Sequence, residues 1–255
     1  MNPSEQREFY IGYLSQAPRG IRRWMRAAVI ALLSLVVLVA LWVVWGQQKF
    51  AASRFEFGTV REFSGVIQAS PYPVLLVGTG ADKSAVRYTL VAPGKHGADA
   101  LVSPFAGQSV RLRGTLIYRD DLQMIEVEPD SLQPAQLDGR LPAAPETLGS
   151  LTLFGEIVDS KCYLGVMNPG HTKPHRECAA NCIRGGIPPL FVVRDGDGKS
   201  AVLWLTGAQG EGFQGEALRQ LLDVVAEPVS ITGEVSRVDG QLFLRAAPAS
   251  IRRIP

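Results

Sequence analysis

Residues 110–132 and 229–251 of this chain align without a gap at a constant offset of 119. The first reads V-R-L-R-G-T-L-I-Y-R-D-D-L-Q-M-I-E-V-E-P-D-S-L and the second V-S-I-T-G-E-V-S-R-V-D-G-Q-L-F-L-R-A-A-P-A-S-I. Gly114 falls on Gly233, Asp120 on Asp239, Pro129 on Pro248 and Ser131 on Ser250. Each copy alternates apolar and polar residues on both sides of an Asp-Asp or Asp-Gly pair, the pattern of a β-hairpin. Upstream, G-V-I-Q (65–68) matches G-E-I-V (155–158) at an offset of 90, and P-V-L-L-V (73–77) matches P-L-F-V-V (189–193) at 116. The offset grows by 26 between these two points, so the second copy carries an insertion there. A duplication of this kind restricts the fold to two copies of one small β unit.

Each copy reads as three strands, a helical stretch and the hairpin. In the second, Leu218, Leu221, Leu222 and Val225 recur at helical spacing across 215–227, and Pro228 ends the run. In the first, the stretch 98–108 is shorter and contains Pro104. Five strands with a helix before the fourth is the pattern of an OB-type barrel; a pair of β-sandwiches is the alternative. The expected fold class is therefore mainly β. A transmembrane helix precedes two tandem OB-like domains, 55–137 and 150–255, the second with a Cys/His insertion at 160–187. Two prolines and two glycines mark 138–149 as the linker.

Ahead of the repeat, residues 27–48 form a run of 22 positions without a charge, rich in Leu, Val and Ala. About 20 such residues cross a hydrocarbon core as a helix. Trp24, Trp42 and Trp45 stand near its ends, where indoles favour the headgroup zone. A cleaved signal peptide has an apolar core of about 7–15 residues; this run is longer, and A-A-S at 51–53 is a weak cleavage site. Arg19, Arg22, Arg23 and Arg26 precede the span and only Lys49 and Arg54 follow it closely. This predicts a cytoplasmic tail at 1–26, an inner-membrane span at 27–48 and periplasmic domains beyond. Phe9, Tyr10, Ile11, Tyr13 and Leu14 fall in that tail, which reads as unstructured. The formal charge of +2 comes from the anchor's flank: residues 1–46 carry +3 and the remainder −1. A near-neutral exported part gives no electrostatic case for nucleic acid.

All three cysteines, and two of the three histidines, lie in the insertion: Cys162, His171, His175, Cys178 and Cys182. Residues 175–183 read as a short helix with Thr172 as N-cap, Pro174 in the first turn and Gly185-Gly186 at its end. His175, Cys178 and Cys182 would share one face of it, while Cys162 and His171 come from the preceding loop. Thiolates with imidazole suit zinc or Cu(I). The chosen ligands are the three cysteines and His175, with His171 second, and Tyr163 and Glu177 as outer partners. A disulfide from Cys162 to Cys178 or Cys182 is the alternative on the oxidising side of a membrane. Neither a Cys-x-x-Cys redox motif nor a haem-attachment Cys-x-x-Cys-His is present, and there is no Ser-His-Asp arrangement, P-loop or dinucleotide fingerprint. Glu156 and Asp159 read as solvated strand-end carboxylates, His96 as an exposed turn residue, and D-G-D-G at 195–198 as a hairpin turn rather than a calcium loop.

The segments V-D-S-K-C-Y-L-G (158–165), H-R-E-C-A (175–179), C-I (182–183) and G-G-I-P-P (185–189) resemble a group of small exported or membrane-anchored bacterial proteins with no assigned activity. The resemblance implies location and no mechanism. A single anchor followed by an OB-type domain also resembles the haem chaperone of cytochrome c maturation. That family attaches haem through His-x-x-x-Tyr, and no histidine here has Tyr four positions later.

These readings converge on a membrane-anchored accessory or binding protein whose insertion holds zinc or copper, or is disulfide-locked to present a recognition surface, in the service of a membrane or periplasmic redox enzyme. A thiol- or metal-dependent redox enzyme and a purely structural, disulfide-stapled module are the alternatives.

Overall fold

The computed structural model describes residues 19–47, 53–78, 85–136, 143–194 and 200–254. The chain divides into two compact units, Met1–Ala51 and Ala52–Pro255. The aromatic residues of the N-terminal tail and the D-G-D-G turn lie outside the described residues.

In the first unit the uncharged run forms α1 (Arg19–Gln47), long and apolar enough to span a membrane. The helix starts eight residues before the run, so Arg19, Arg22, Arg23 and Arg26 lie on its first turns. At 1.5 Å per residue it is roughly 43 Å long.

The second unit contains two sheets. The first comprises β1 (Ser53–Gln68), β2 (Val74–Val77), β3 (Val86–Ala92), the short β4 (His96–Gly97), β5 (Ser109–Arg119), β6 (Leu122–Val127) and the short β7 (Gln133–Pro134). Its helical stretch is one turn, α2 (Asp99–Val102), running into a 3₁₀ turn at Ser103–Phe105 that contains Pro104. β1 pairs with β2, β2 with β3, β3 runs parallel to β6, β6 pairs with β5, and β5 returns to β1, closing a ring of five strands.

The second sheet comprises β8 (Glu146–Asp159), β9 (Pro189–Arg194), β10 (Ser200–Thr206), β11 (Pro228–Val238), β12 (Gln241–Arg245) and β13 (Ile251–Arg253). Helix α3 (Arg176–Arg184) stands between β8 and β9, and α4 (Gly215–Asp223) between β10 and β11. The ring closes in the same sense: β8 to β9, β9 to β10, β10 parallel to β12, β12 to β11, β11 to β8. β8 begins four residues inside the expected linker, because Glu146 already pairs with Arg237.

Aligned residues occupy matching places in the two rings. A Cβ on Gly114 would come within 2.5 Å of the Glu126 carbonyl, and one on Gly233 within 2.2 Å of the Arg245 carbonyl. Gly65 faces the Leu76 carbonyl at 2.4 Å and Gly155 the Val192 carbonyl at 2.2 Å in the same way. These are points where two strands approach too closely for any side chain. Asp120 and Asp239 take φ of 51° and 47° at the hairpin turns. Ser131 and Ser250 hydroxyls donate to the carbonyls of Glu128 (2.7 Å) and Ala247 (2.8 Å).

Each ring has its own apolar interior, around Leu75, Leu112 and Ile125 in the first and Phe191, Leu221 and Ile231 in the second. A third cluster joins them. It takes Val91, Ile117 and Met124 from the first sheet, Leu190, Val192 and Trp204 from the second, and Cys162, Tyr163, Leu164, Cys182 and Ile187 from the insertion. Polar bonds cross the same boundary. Arg87 and Asp239 form an ion pair of 3.2 Å with side chains only 3% and 1% exposed. The Tyr72 hydroxyl donates to the Leu205 carbonyl (2.6 Å).

Candidate metal centre

The insertion starts where β8 ends. Asp159, fully buried, accepts the Cys162 N–H on Oδ1 at 2.8 Å. A carboxylate three residues ahead of a helical turn caps it in this way. The turn, Cys162–Val166, is π-helical, closed by the Met167 N–H on the Cys162 carbonyl at 3.2 Å. Single π turns of this kind recur at functional sites. Gly165 lets the turn lie directly on the β1 backbone, since a Cβ there would sit 2.6 Å from the Arg54 carbonyl carbon. Gly170 lets the returning loop close over Cys162, whose carbonyl oxygen would be 2.5 Å from a Cβ.

The loop then turns sharply at Thr172, whose φ of 68° and ψ of 170° are sterically costly for a β-branched residue. Its N–H donates to Glu156 Oε1, which holds that conformation in place. Thr172 stands at the predicted N-cap, but its hydroxyl caps nothing and bonds instead to the His171 carbonyl at 2.6 Å. Pro174 lies in the first turn of the 3₁₀ segment Lys173–His175, which leads into α3. Arg176 ties that helix to Glu227 (2.8 Å) and to the Asp223 carbonyl (3.0 Å).

The other side of the insertion clasps the first ring. The Gly97 N–H donates to the Gly185 carbonyl at 2.9 Å, and a Cβ on Gly185 would lie 1.9 Å from the Lys95 carbonyl oxygen. Buried Lys161 donates to the carbonyls of Ala92 (2.9 Å) and Gly94 (2.7 Å) and pairs with Glu126. Arg119, also buried, places its guanidinium carbon 4.2 Å from the Tyr163 ring centroid, a cation–π contact. The segment is therefore wedged between the two rings, with Met167, Glu177 and Arg184 left exposed.

This packing brings the sulfurs of Cys162, Cys178 and Cys182 within 4.8 Å of one another, all three as free thiols. A second group shares Cys162: its sulfur, an Asp159 oxygen and a His175 nitrogen lie within the same distance. His175 Nε2 is 3.0 Å from Asp159 Oδ2. Both carboxylate oxygens of Asp159 are thus occupied, one by Cys162 and one by His175. Cys178 and Cys182 share a face of α3 as their spacing predicts. His175, at the helix's N-cap position, turns towards Asp159 and lies outside the three-sulfur group. His171, half-buried, belongs to neither group; its ring faces Tyr163 at 6.4 Å between centroids. Glu177 is exposed and His96 is exposed on β4.

The thiols differ in acidity. Donating its S–H to Cys182, and then burial and Asp159, push Cys162 well above the ordinary thiol range. Accepting that hydrogen bond holds Cys182 below it. Burial, then the neighbouring Cys182, raise Cys178, while Lys95 opposes the rise. The trio thus has a sulfur acceptor already surrounded by S–H donors, an arrangement that a soft cation converts to shared thiolates with release of protons.

Sequence reasoning missed Asp159 and Lys161. Asp159 carried a readable signal, its position three residues before Cys162. Lys161 had none, because its partners lie 67 to 69 residues away. No protein-family model and no curated protein matches this sequence, so the site stands on its own geometry.

Proposed function

We propose that the chain is a single-pass, membrane-anchored periplasmic accessory protein that binds zinc or copper at Cys162, Cys178 and Cys182. The observation that carries this reading is the mutual approach of three free sulfurs within 4.8 Å. Zinc and copper sites are built from such thiolates. The five-strand rings with a helix before the fourth strand support a pair of OB-like domains. The matching glycines, aspartates and serines support their origin by duplication. The arginines at the start of α1 support a cytoplasmic N-terminus and periplasmic domains. In this reading the two rings are a scaffold and the insertion is the working part, serving a membrane or periplasmic redox enzyme. The likeness of the insertion to exported bacterial proteins fits the same placement. His175 and Asp159 act as positioning residues behind Cys162.

A second reading has one observation in its favour. Cys162, His175 and Asp159 are adjacent, as in a thiol nucleophile with an oriented imidazole. Thiol-based redox catalysis would use that group.

The deciding experiment is elemental analysis and intact mass of the full chain purified in detergent, with and without native alkylation. One equivalent of zinc or copper, and three thiols that alkylate after chelation, are expected. A mass deficit of about two daltons with a single alkylatable thiol would establish a disulfide and defeat the metal reading. One rapidly alkylated thiol without metal would favour the enzyme.

A further inference from the structure

Among the described residues, no histidine, aspartate or glutamate ligand atom lies within 4.8 Å of all three sulfurs; Asp159 and His175 come that close to Cys162 but form no group with Cys178 and Cys182. His175 has Nε2 engaged by Asp159 at 3.0 Å. Asp159 is 0% exposed and its other oxygen holds the Cys162 N–H, so turning the imidazole away would leave a buried carboxylate oxygen without a partner. His171 lies outside the group. Cys162 and Cys182 also belong to the apolar cluster that contains Val158, Leu164, Ile187 and Trp204. A metal ion among these sulfurs therefore meets three soft ligands, with the mutually bonded Asp159 and His175 to one side at Cys162.

Zinc in structural sites takes four ligands in a tetrahedron, and these sulfurs supply three. Cu(I) is satisfied by soft thiolates, without a preference for a hard or nitrogen ligand. We propose that the triangle formed by Cys162, Cys178 and Cys182 is a site for Cu(I), bound by sulfur alone. This inference rests on the metal-binding reading above and narrows it to one ion. Binding leaves the copper oxidation state unchanged: Cu(I) joins three sulfurs and each thiol that becomes a ligand gives its proton to solvent.

The three ligands are not equally placed. Cys162 and Cys182 are 4% and 2% exposed, whereas Cys178 is half-buried on the outer edge of α3. Cys178 is the sulfur that an incoming thiolate can reach, so the ion enters and leaves there by ligand exchange while the two buried sulfurs hold it.

The test uses the full chain in detergent, reduced and under nitrogen. Cu(I) is supplied as its bicinchoninate complex, and Zn(II) and Co(II) are titrated separately. One Cu(I) per chain, withdrawn from bicinchoninate with a near-ultraviolet sulfur-to-copper band, is the expected result. His96→Ala, at an exposed position on β4, keeps that stoichiometry. Cys182→Ser loses it. Cys178→Ser retains one copper but returns it to glutathione at least tenfold more slowly, a rough expectation for loss of the accessible exchange ligand. Parent-like near-ultraviolet circular dichroism, shared by every variant scored, shows that the fold is intact. One-to-one Zn(II) binding, with tetrahedral Co(II) bands that disappear in His175→Ala, would overturn the copper assignment and leave the metal-binding reading standing. A folded chain that takes neither ion at stoichiometry would overturn both.

Discussion

Gly185→Ala tests whether the insertion is held against the first ring as described. The new methyl group would lie 1.9 Å from the Lys95 carbonyl oxygen and 3.1 Å from its carbon. Both are backbone atoms, so relief requires moving a chain segment, not a side-chain tip. Forced overpacking of this kind costs about 1–3 kcal/mol. Displacement also breaks the bond from the Gly97 N–H to the Gly185 carbonyl, worth about 1 kcal/mol more. A loss of about 3 kcal/mol corresponds to a fall in Tm of about 6–12 °C for a unit of this size. The assay is thermal unfolding of the full chain in detergent, followed by near-ultraviolet circular dichroism, with Trp204 reporting the joining cluster. Gly78→Ala is the control: nothing lies within 4 Å of its added Cβ and its backbone angle suits any residue, so its Tm should stay within about 2 °C of the parent. A Gly185→Ala protein that melts with the control would refute the close approach, and with it the wedged placement of the thiols.

Two further outcomes follow from buried polar groups at the same boundary. Arg87→Met strands the Asp239 carboxylate, whose side chain is 1% exposed, and should cost about 3–5 kcal/mol in denaturant titration; adding Asp239→Asn should restore part of the loss, and a fully additive pair would argue against the ion pair. Burial, then Asp99 and Glu211, push the Tyr72 phenol far above its ordinary value. The folded state therefore keeps a proton that the unfolded chain releases above pH ~10, so this residue's contribution is complete below that pH and lost as pH rises beyond it. Tyr72→Phe should cost about 1 kcal/mol at pH 7 through the lost bond to the Leu205 carbonyl, yet flatten the alkaline decline; one fewer phenol titrating near pH ~10 in the folded variant than in the folded parent, by absorbance at 295 nm, would contradict this.

Much of the fold could be read from the sequence where the determinants were local. Alternation around Asp120 and Asp239 specified both hairpins, and the spacing of Leu218, Leu221 and Leu222 specified α4. The position of Pro104 explains why the matching segment in the first copy yields only one α-helical turn before a 3₁₀ turn. The thiol cluster was legible in part. Helical spacing brought Cys178 and Cys182 together, but His175 followed a buried carboxylate that pattern reading had assigned to solvent. Gly185 looked like a helix stop; its tighter constraint comes from Lys95, far away in sequence and adjacent in space. The same holds for the insertion as a whole. Its length was visible in the offset between copies, whereas its docking on β1, β3 and β5 depends on contacts across more than sixty residues.

The cluster that joins the rings has a consequence for any attempt to divide this protein. Tyr163, Leu164 and Ile187 share one buried cluster with Val91, Ile117 and Met124 of the first sheet and with Leu190 and Trp204 of the second. Cutting the chain between the halves would strip an oily wall bare on both fragments, and the sulfurs would lose their shelter along with it. The thiol pocket is thus a property of the assembled pair, inherited by neither half alone.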